Sequence, residues 1–142
     1  MEIALDEARK AAERGEVPVG AVVVRGGEVL AQTGNRTAEC HDPSAHAEIL
    51  AMRLACESLQ NQRLIDCDLY VTLEPCTMCA AAISFARIRR LYFGAVDAKG
   101  GAVESGVCFF DQPTCHHRPE WYSGMAEQEC AALLHMFFAD RR

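Results

Sequence analysis

At 142 residues, with 50% of them apolar and 24% charged, the chain has the size and composition of one globular domain, which excludes a disordered or fibrous segment. A formal charge of −6 argues against indiscriminate nucleic-acid binding, and the longest apolar runs fall well short of the eighteen or so residues of a membrane span. Eight scattered cysteines in so apolar a chain, after an acidic start without a secretory leader pattern, predict reduced thiols and a cytoplasmic address.

Helix and strand signals alternate without repeats or a linker, which predicts a single α/β domain over residues 1–142. Residues 2–14 read as a helix closed by Gly15 at the C′ position. Val19 to Val24 and Val29 to Gln32 read as strands around Arg25-Gly26-Gly27-Glu28, a hairpin signal. A loop from Gly34 to Pro43 leads to a helix from about Ser44 to Gln60, with Ile49, Leu50, Arg53 and Leu54 at helical spacing. Leu69 to Leu73 is a strand, Pro75 to about Arg87 a helix with its proline at the first position, and Arg90 to Gly94 another strand. A loop-rich stretch with a short strand near Trp121-Tyr122 precedes a last helix, from about Met125 to Ala139.

Two motifs fall at the starts of predicted helices. His46-Ala47-Glu48 and Pro75-Cys76-Thr77-Met78-Cys79 together offer an imidazole, two thiolates and a carboxylate that need not be a ligand. A structural zinc site is closed by four protein ligands, whereas a catalytic one takes three and leaves a position for water. Glu48 is then free for proton transfer. Residues two apart lie roughly 200° apart around a helix, so His46 and Glu48 converge only in the first turn, where side chains lean back over the helix end. Cys76 and Cys79, three apart, face one way. A Cys-x-x-Cys after a strand also suits a thioredoxin-like redox motif, but disulfide exchange uses neither His46 nor Glu48. Cys56, Cys67 and Cys130 read as small buried apolar side chains, and Cys40-His41 and Cys115-His116-His117 lack a second cluster at ligand spacing. Residues 1–83 carry 7 basic and 13 acidic side chains, and residues 84–142 carry 7 of each. Any RNA contact is therefore expected on Arg87, Arg89, Arg90, Lys99, Arg118, Arg141 and Arg142.

His-x-Glu followed by Pro-Cys-x-x-Cys is the signature of zinc nucleobase deaminases. With Glu16 to Val23, Asn35-Arg36, His41 to Glu48, Tyr70 to Cys76, Phe93-Gly94-Ala95 before Asp97 and Lys99, and the tail Glu129 to Leu134 with Phe137-Phe138, the chain resembles the bacterial tRNA-specific adenosine deaminases of the cytidine deaminase-like superfamily. That resemblance implies a three-layer α/β fold with a five-stranded sheet between helices, bound zinc, and a homodimer whose protomers shape each other's sites. It implies conversion of adenosine to inosine at the wobble position of a tRNA anticodon arm. It also implies His46, Cys76 and Cys79 as zinc ligands, Glu48 as proton shuttle, Asn35 bonded to a flipped base, Val19 walling its pocket, and Asp97 and Phe138 at the flanking nucleotides. Read without the resemblance, Asn35 is a turn residue, Val19 a core strand residue, Asp97 a loop carboxylate and Phe138 a packed aromatic. The stretch Gly100 to Gly106 lacks the close Gly-Ser pair usual in such relatives, and His116 stands where an asparagine is common, which bears on RNA contact and not on chemistry. Two other readings remain open: a deaminase of free guanine, cytosine or a nucleoside, and a non-catalytic zinc-stabilised RNA-binding module with a fourth ligand from Cys40, Cys108 or Cys115.

Overall fold

A Gly26-Gly27 pair with φ of +57° and +81° makes the two-residue turn that joins β1 (Gly20–Arg25) to β2 (Glu28–Gly34), as the hairpin signal predicts. In the computed structural model, which describes residues 1–141, this hairpin follows α1 (Glu2–Glu13), whose end is marked by Gly15 at φ +83°. Beyond it come α2 (Ala47–Leu59), β3 (Cys67–Leu73), α3 (Thr77–Ala86), β4 (Arg90–Ala95), a 3-10 turn at Phe109–Asp111, β5 (Glu120–Tyr122) and α4 (Glu127–Ala139). Arg142, one of the basic residues expected at RNA, lies outside the described residues.

The sheet order is β2-β1-β3-β4-β5, with β1 antiparallel to both neighbours and β3, β4 and β5 parallel. Strand β2 therefore runs in the same direction as β3 and β4. The C-terminal ends of β2, β3 and β4 and the N-terminal end of β1 meet at one edge, with Gly20 opposite Gly34 and Leu73 opposite Ala95. Every segment that carries a candidate site residue before α4 enters or leaves the sheet along that edge.

On one face Val23, Leu69, Val71, Leu91 and Phe93 pack with Ala47, Ala51, Ala80 and Ile83 of α2 and α3. On the other, α1 and α4 approach so closely that a Cβ at Gly20 would lie 1.9 Å from the Ala4 carbonyl oxygen. At Gly94 it would lie 2.4 Å from Cys130 Sγ, so only glycine permits this helix-to-strand distance. The result is the expected three-layer α/β arrangement.

Several boundaries differ from expectation, each for a local reason. Helix α2 starts at Ala47, because His46 is extended and serves as its N-cap. It turns Ala47, Glu48, Ala51, Met52 and Ala55 inward and leaves Arg53 and Leu54 exposed: an alanine stripe lets the helix lie close to the sheet. Pro75 is not the first residue of α3. Its carbonyl accepts the Ala102 N–H at 2.9 Å and Cys76 bridges to Gly101, which holds both extended and makes Cys76 the N-cap. Val19 precedes β1, and α4 begins at Glu127 after Ala126 at φ +55°. Cys67 and Cys130 are buried as expected, Cys56 is half-buried, and all eight cysteines are free thiols.

Candidate active site

His46 is the N-cap of α2 and Cys76 the N-cap of α3, so the two helices begin against one point. Glu48 is in the first turn of α2 and Cys79 in that of α3, as convergence requires. His46 Nδ1 lies 3.7 Å from Cys76 Sγ and 3.5 Å from Cys79 Sγ. Ligands at zinc–nitrogen and zinc–sulfur bond lengths of about 2.0 and 2.3 Å in a tetrahedral shell stand about 3.5 Å apart, so this donor set fits the ion. A hydrogen bond from Cys79 pulls the Cys76 thiol down to about 4 against burial, with His46 helping. The same contact and burial push Cys79 up, while the Cys76 hydrogen bond raises His46. The three groups thus share protons at a place where one cation would replace them.

Among the described residues these three side chains are the one such cluster of ligating atoms. None of the cysteines suggested as a fourth ligand joins it. Cys40 is exposed, Cys108 Sγ donates to the carbonyls of Glu104 and Ser105, and Cys115 lies against Ser84 and the His117 carbonyl. Glu48 is 4% exposed beside the cluster, and burial pushes its carboxyl up, toward the protonation range a general acid and base needs.

Asn35 is reached from the end of β2. Its Oδ1 accepts the Ala47 N–H at 2.8 Å, which satisfies a free donor at the start of α2, and its backbone N–H donates to Val19 O. With Oδ1 engaged, the amide NH2 is left as a donor. Val19, 5% exposed, is packed at the same edge. Asp97 and Phe138 meet in a groove of about 770 Å³ lined also by Val17, Leu73, Lys99 and His135. None of His46, Glu48, Cys76 and Cys79 lines this groove, which opens at the same edge of the sheet through Leu73 and Ala95. Phe138 is 48% exposed there, whereas Phe137 is buried beneath the Arg141 guanidinium, 3.5 Å above its ring.

The basic residues divide. Lys99 lines the groove. Arg89 is held by Asp68 through two bonds of 3.0 and 2.9 Å, Arg90 by Glu120 and Arg118 by Asp111. Arg90 is in register with Asp68, five residues or about 17 Å from the strand edge that carries the cluster, so Arg89 and Arg90 are at the wrong end of the sheet for an RNA seated in the groove.

Two buried carboxylates that no local sequence signal marks shape the loops at this edge. Glu16, 4% exposed, accepts bonds from Thr37 Oγ1, the Ala38 N–H and the Glu39 N–H, which shapes the loop after β2. Glu74, 2% exposed, does the same for the loop after β4. Each is an acidic residue flanking an apolar run, a pattern that exposed acids share.

Residues 1–95 match the family described as the cytidine and deoxycytidylate deaminase zinc-binding region. A protein of Agrobacterium fabrum, named tRNA-specific adenosine deaminase, is 67% identical over 100% of this chain and 93% of its own. A solved structure from a study of A-to-I editing by tRNA:A34 deaminases at the wobble position of transfer RNA superimposes with a TM-score of 0.94, at 69% identity over 94% of this chain and 97% of that one. A guanine deaminase of Bacillus subtilis superimposes with a TM-score of 0.67, at 33% identity over 99% and 90%.

Proposed function

Because this chain belongs to the cytidine and deoxycytidylate deaminase family and, within it, to the tRNA-specific adenosine deaminases, we propose that it hydrolyses adenosine to inosine at the wobble position of a tRNA anticodon. The observation that carries the reading is a three-ligand cluster with a buried carboxylate beside it, at the starts of two helices.

His46, through Nδ1, and Cys76 and Cys79, through sulfur, would hold the zinc. When bound, zinc supplies the Lewis acidity that makes water a nucleophile near neutral pH. Glu48 takes one proton from the attacking water and passes it to the ring nitrogen, then takes the remaining hydroxyl proton and passes it to the amine as the C–N bond breaks and ammonia leaves, while the water oxygen becomes the oxo group of inosine. The positive ends of α2 and α3 favour the negative charge that develops on the base. Asn35 donates its amide to a ring acceptor of the flipped base, and Val19 closes the pocket behind it. Asp97 and Phe138 receive the flanking nucleotides, with Phe138 as a stacking face. An anticodon loop is a favourable target because its bases are already unpaired.

The same reading makes the chain one deaminase domain at work in the cytoplasm. Among the described residues no helix is long and apolar enough to cross a membrane. It also makes the chain a homodimer. Leu54 on α2 and Met78 and Phe85 on α3 are exposed, Phe85 by 70%, and they form apolar surface on two helices that touch.

The deciding assay measures inosine formation in a synthetic anticodon stem-loop with adenosine at the wobble position, alongside ammonia release from free guanine, cytosine and nucleosides. Turnover of the stem-loop alone supports the proposal. Turnover of a free base alone replaces it with the activity named for the guanine deaminase relative. Zinc binding with turnover of neither leaves a non-catalytic RNA-binding module.

A further inference from the structure

Glu74 has an unusual set of partners for a buried carboxylate. Its Oε1 accepts the Asp97 N–H at 2.9 Å and the Ser105 hydroxyl at 3.0 Å. Its Oε2 accepts the N–H groups of Val103, Glu104 and Ser105 at 3.1, 2.9 and 2.8 Å. All five donors are neutral and all belong to the loop after β4. The charge is therefore satisfied only while that loop is wrapped around it, and the loop amides are satisfied only while the charge is there.

The other end of the connection is the zinc-ligand junction. The Glu74 backbone N–H donates to Ala95 O at 2.8 Å, Pro75 O accepts the Ala102 N–H, and Cys76 bridges to Gly101. Gly101 is packed so tightly that a Cβ there would lie 2.4 Å from Glu74 Cδ and 2.5 Å from the Asp97 carbonyl oxygen. Within the loop, Asp97 Oδ1 accepts the N–H groups of Lys99 and Gly100, so Asp97 and Lys99 are set relative to each other as well. Ala98, Lys99 and Gly100 are exposed and have little packing of their own.

We propose that Glu74 is the positioning residue for the RNA groove: it holds the Asp97–Ser105 loop, whose Asp97 to Gly100 segment lines the groove, against the junction that carries Cys76, so that the groove is already formed before RNA arrives. The inference rests on the proposed function for its substrate but not for its hydrogen bonds. Glu74 touches none of the reacting atoms. A preformed wall spares the RNA the cost of ordering it, so loss of the anchor weakens capture of the loop more than it slows chemistry on a base already in place.

The test uses the zinc-loaded full chain and three variants, Glu74→Gln, Gly101→Ala and Ser105→Ala. Glu74→Gln keeps the shape but presents an NH2 toward one group of donors. Gly101→Ala pushes on the same contact from the loop side. Ser105→Ala removes one of the five bonds and is the variant safest for folding. Zinc per chain, amide hydrogen exchange, and single-turnover deamination of the stem-loop are measured for each. The expected result is unchanged zinc and a half-saturating RNA concentration raised about tenfold in the first two variants and about threefold in the third, with the rate at saturation within about threefold of the parent. Exchange at residues 97–105 should quicken at least tenfold, while residues 47–52 and 77–83 keep the parent's rates. Loss of zinc, or a slower saturated rate at unchanged half-saturation, would show that Glu74 acts on the metal centre or the fold and overturn the proposal. So would unchanged exchange at 97–105 in Ser105→Ala, even if the other two variants failed to fold. A parent that does not deaminate the stem-loop defeats the substrate reading alone, because the exchange measurement needs no RNA and still decides whether Glu74 holds the loop.

Discussion

His46, Glu48, Cys76 and Cys79 take their positions from the N-caps and first turns of two helices, while the loop from Asp97 to Ser105 takes its shape from one carboxylate at the end of β3. A helix start positions a side chain through local backbone geometry, and a residue can be placed there by spacing alone. A loop wound around a buried charge has no such periodicity. Its shape depends on donors 23 to 31 residues away in sequence from Glu74. The half of the site proposed for chemistry is therefore built from regular structure, and the half proposed to receive RNA from irregular structure held by hydrogen bonds. Glu16 repeats the second device on the opposite side, at Thr37 to Glu39.

The sharpest way to break this division is at the metal. Cys79→Ala, or treatment with a strong chelator, is expected to remove near-stoichiometric zinc and abolish turnover, read by elemental analysis and inosine formation. Full zinc retention after replacement of both cysteines would reject the site.

Next in size is Glu48→Gln, which keeps the volume but cannot act as a base. Turnover should fall by about 10²- to 10⁴-fold, with zinc content and circular dichroism unchanged. Near-parental activity would remove Glu48 from the mechanism.

The RNA side should respond in affinity. Phe138→Ala is expected to weaken stem-loop binding by roughly 10- to 100-fold, the value of one stacked base, with zinc intact. The neighbouring Phe137 is a poor choice for this test, since it is buried under Arg141 and its loss would loosen α4. Binding titrations that fail to separate parent from Phe138→Ala would make the tail structural.

Smaller still is the effect expected at Glu16. Burial raises its carboxyl, but the Glu39 and Ala38 amides and the Thr37 hydroxyl outweigh burial, so its folded value is below the unfolded one. The stability it contributes is then present above the unfolded value, near 4.3, and is lost as pH falls through the lower folded value. Glu16→Gln should cost about 1–3 kcal/mol at pH 7, and denaturant titrations should show the gap to the parent closing in acid. A gap that widens on acidification would contradict the assigned bonds.

The smallest change is expected from Arg89→Ala and Arg90→Ala. Both side chains are in exposed ion pairs at the far edge of the sheet, so stem-loop affinity should change by less than about twofold. A tenfold loss would mean that RNA reaches around to that edge and that the groove is not its only seat.

The sequence by itself determined the chemistry. His-x-Glu and Cys-x-x-Cys are local patterns, and the start of a helix brings the members of each onto one side. It also determined the hairpin turn, the end of α1 and the alternation of elements, because glycine conformation and apolar periodicity act over a few residues. Only the tertiary structure decided that β2, β3 and β4 end at one edge, which places Asn35, Cys76 and Asp97 along the same edge of the sheet. Only it turned the alanine face of α2 inward, delayed α3 past Pro75, and separated Lys99 at the groove from Arg89 and Arg90 at the opposite end. Those outcomes depend on register and on hydrogen bonds between residues far apart in the chain, and neither composition nor local spacing carries that information.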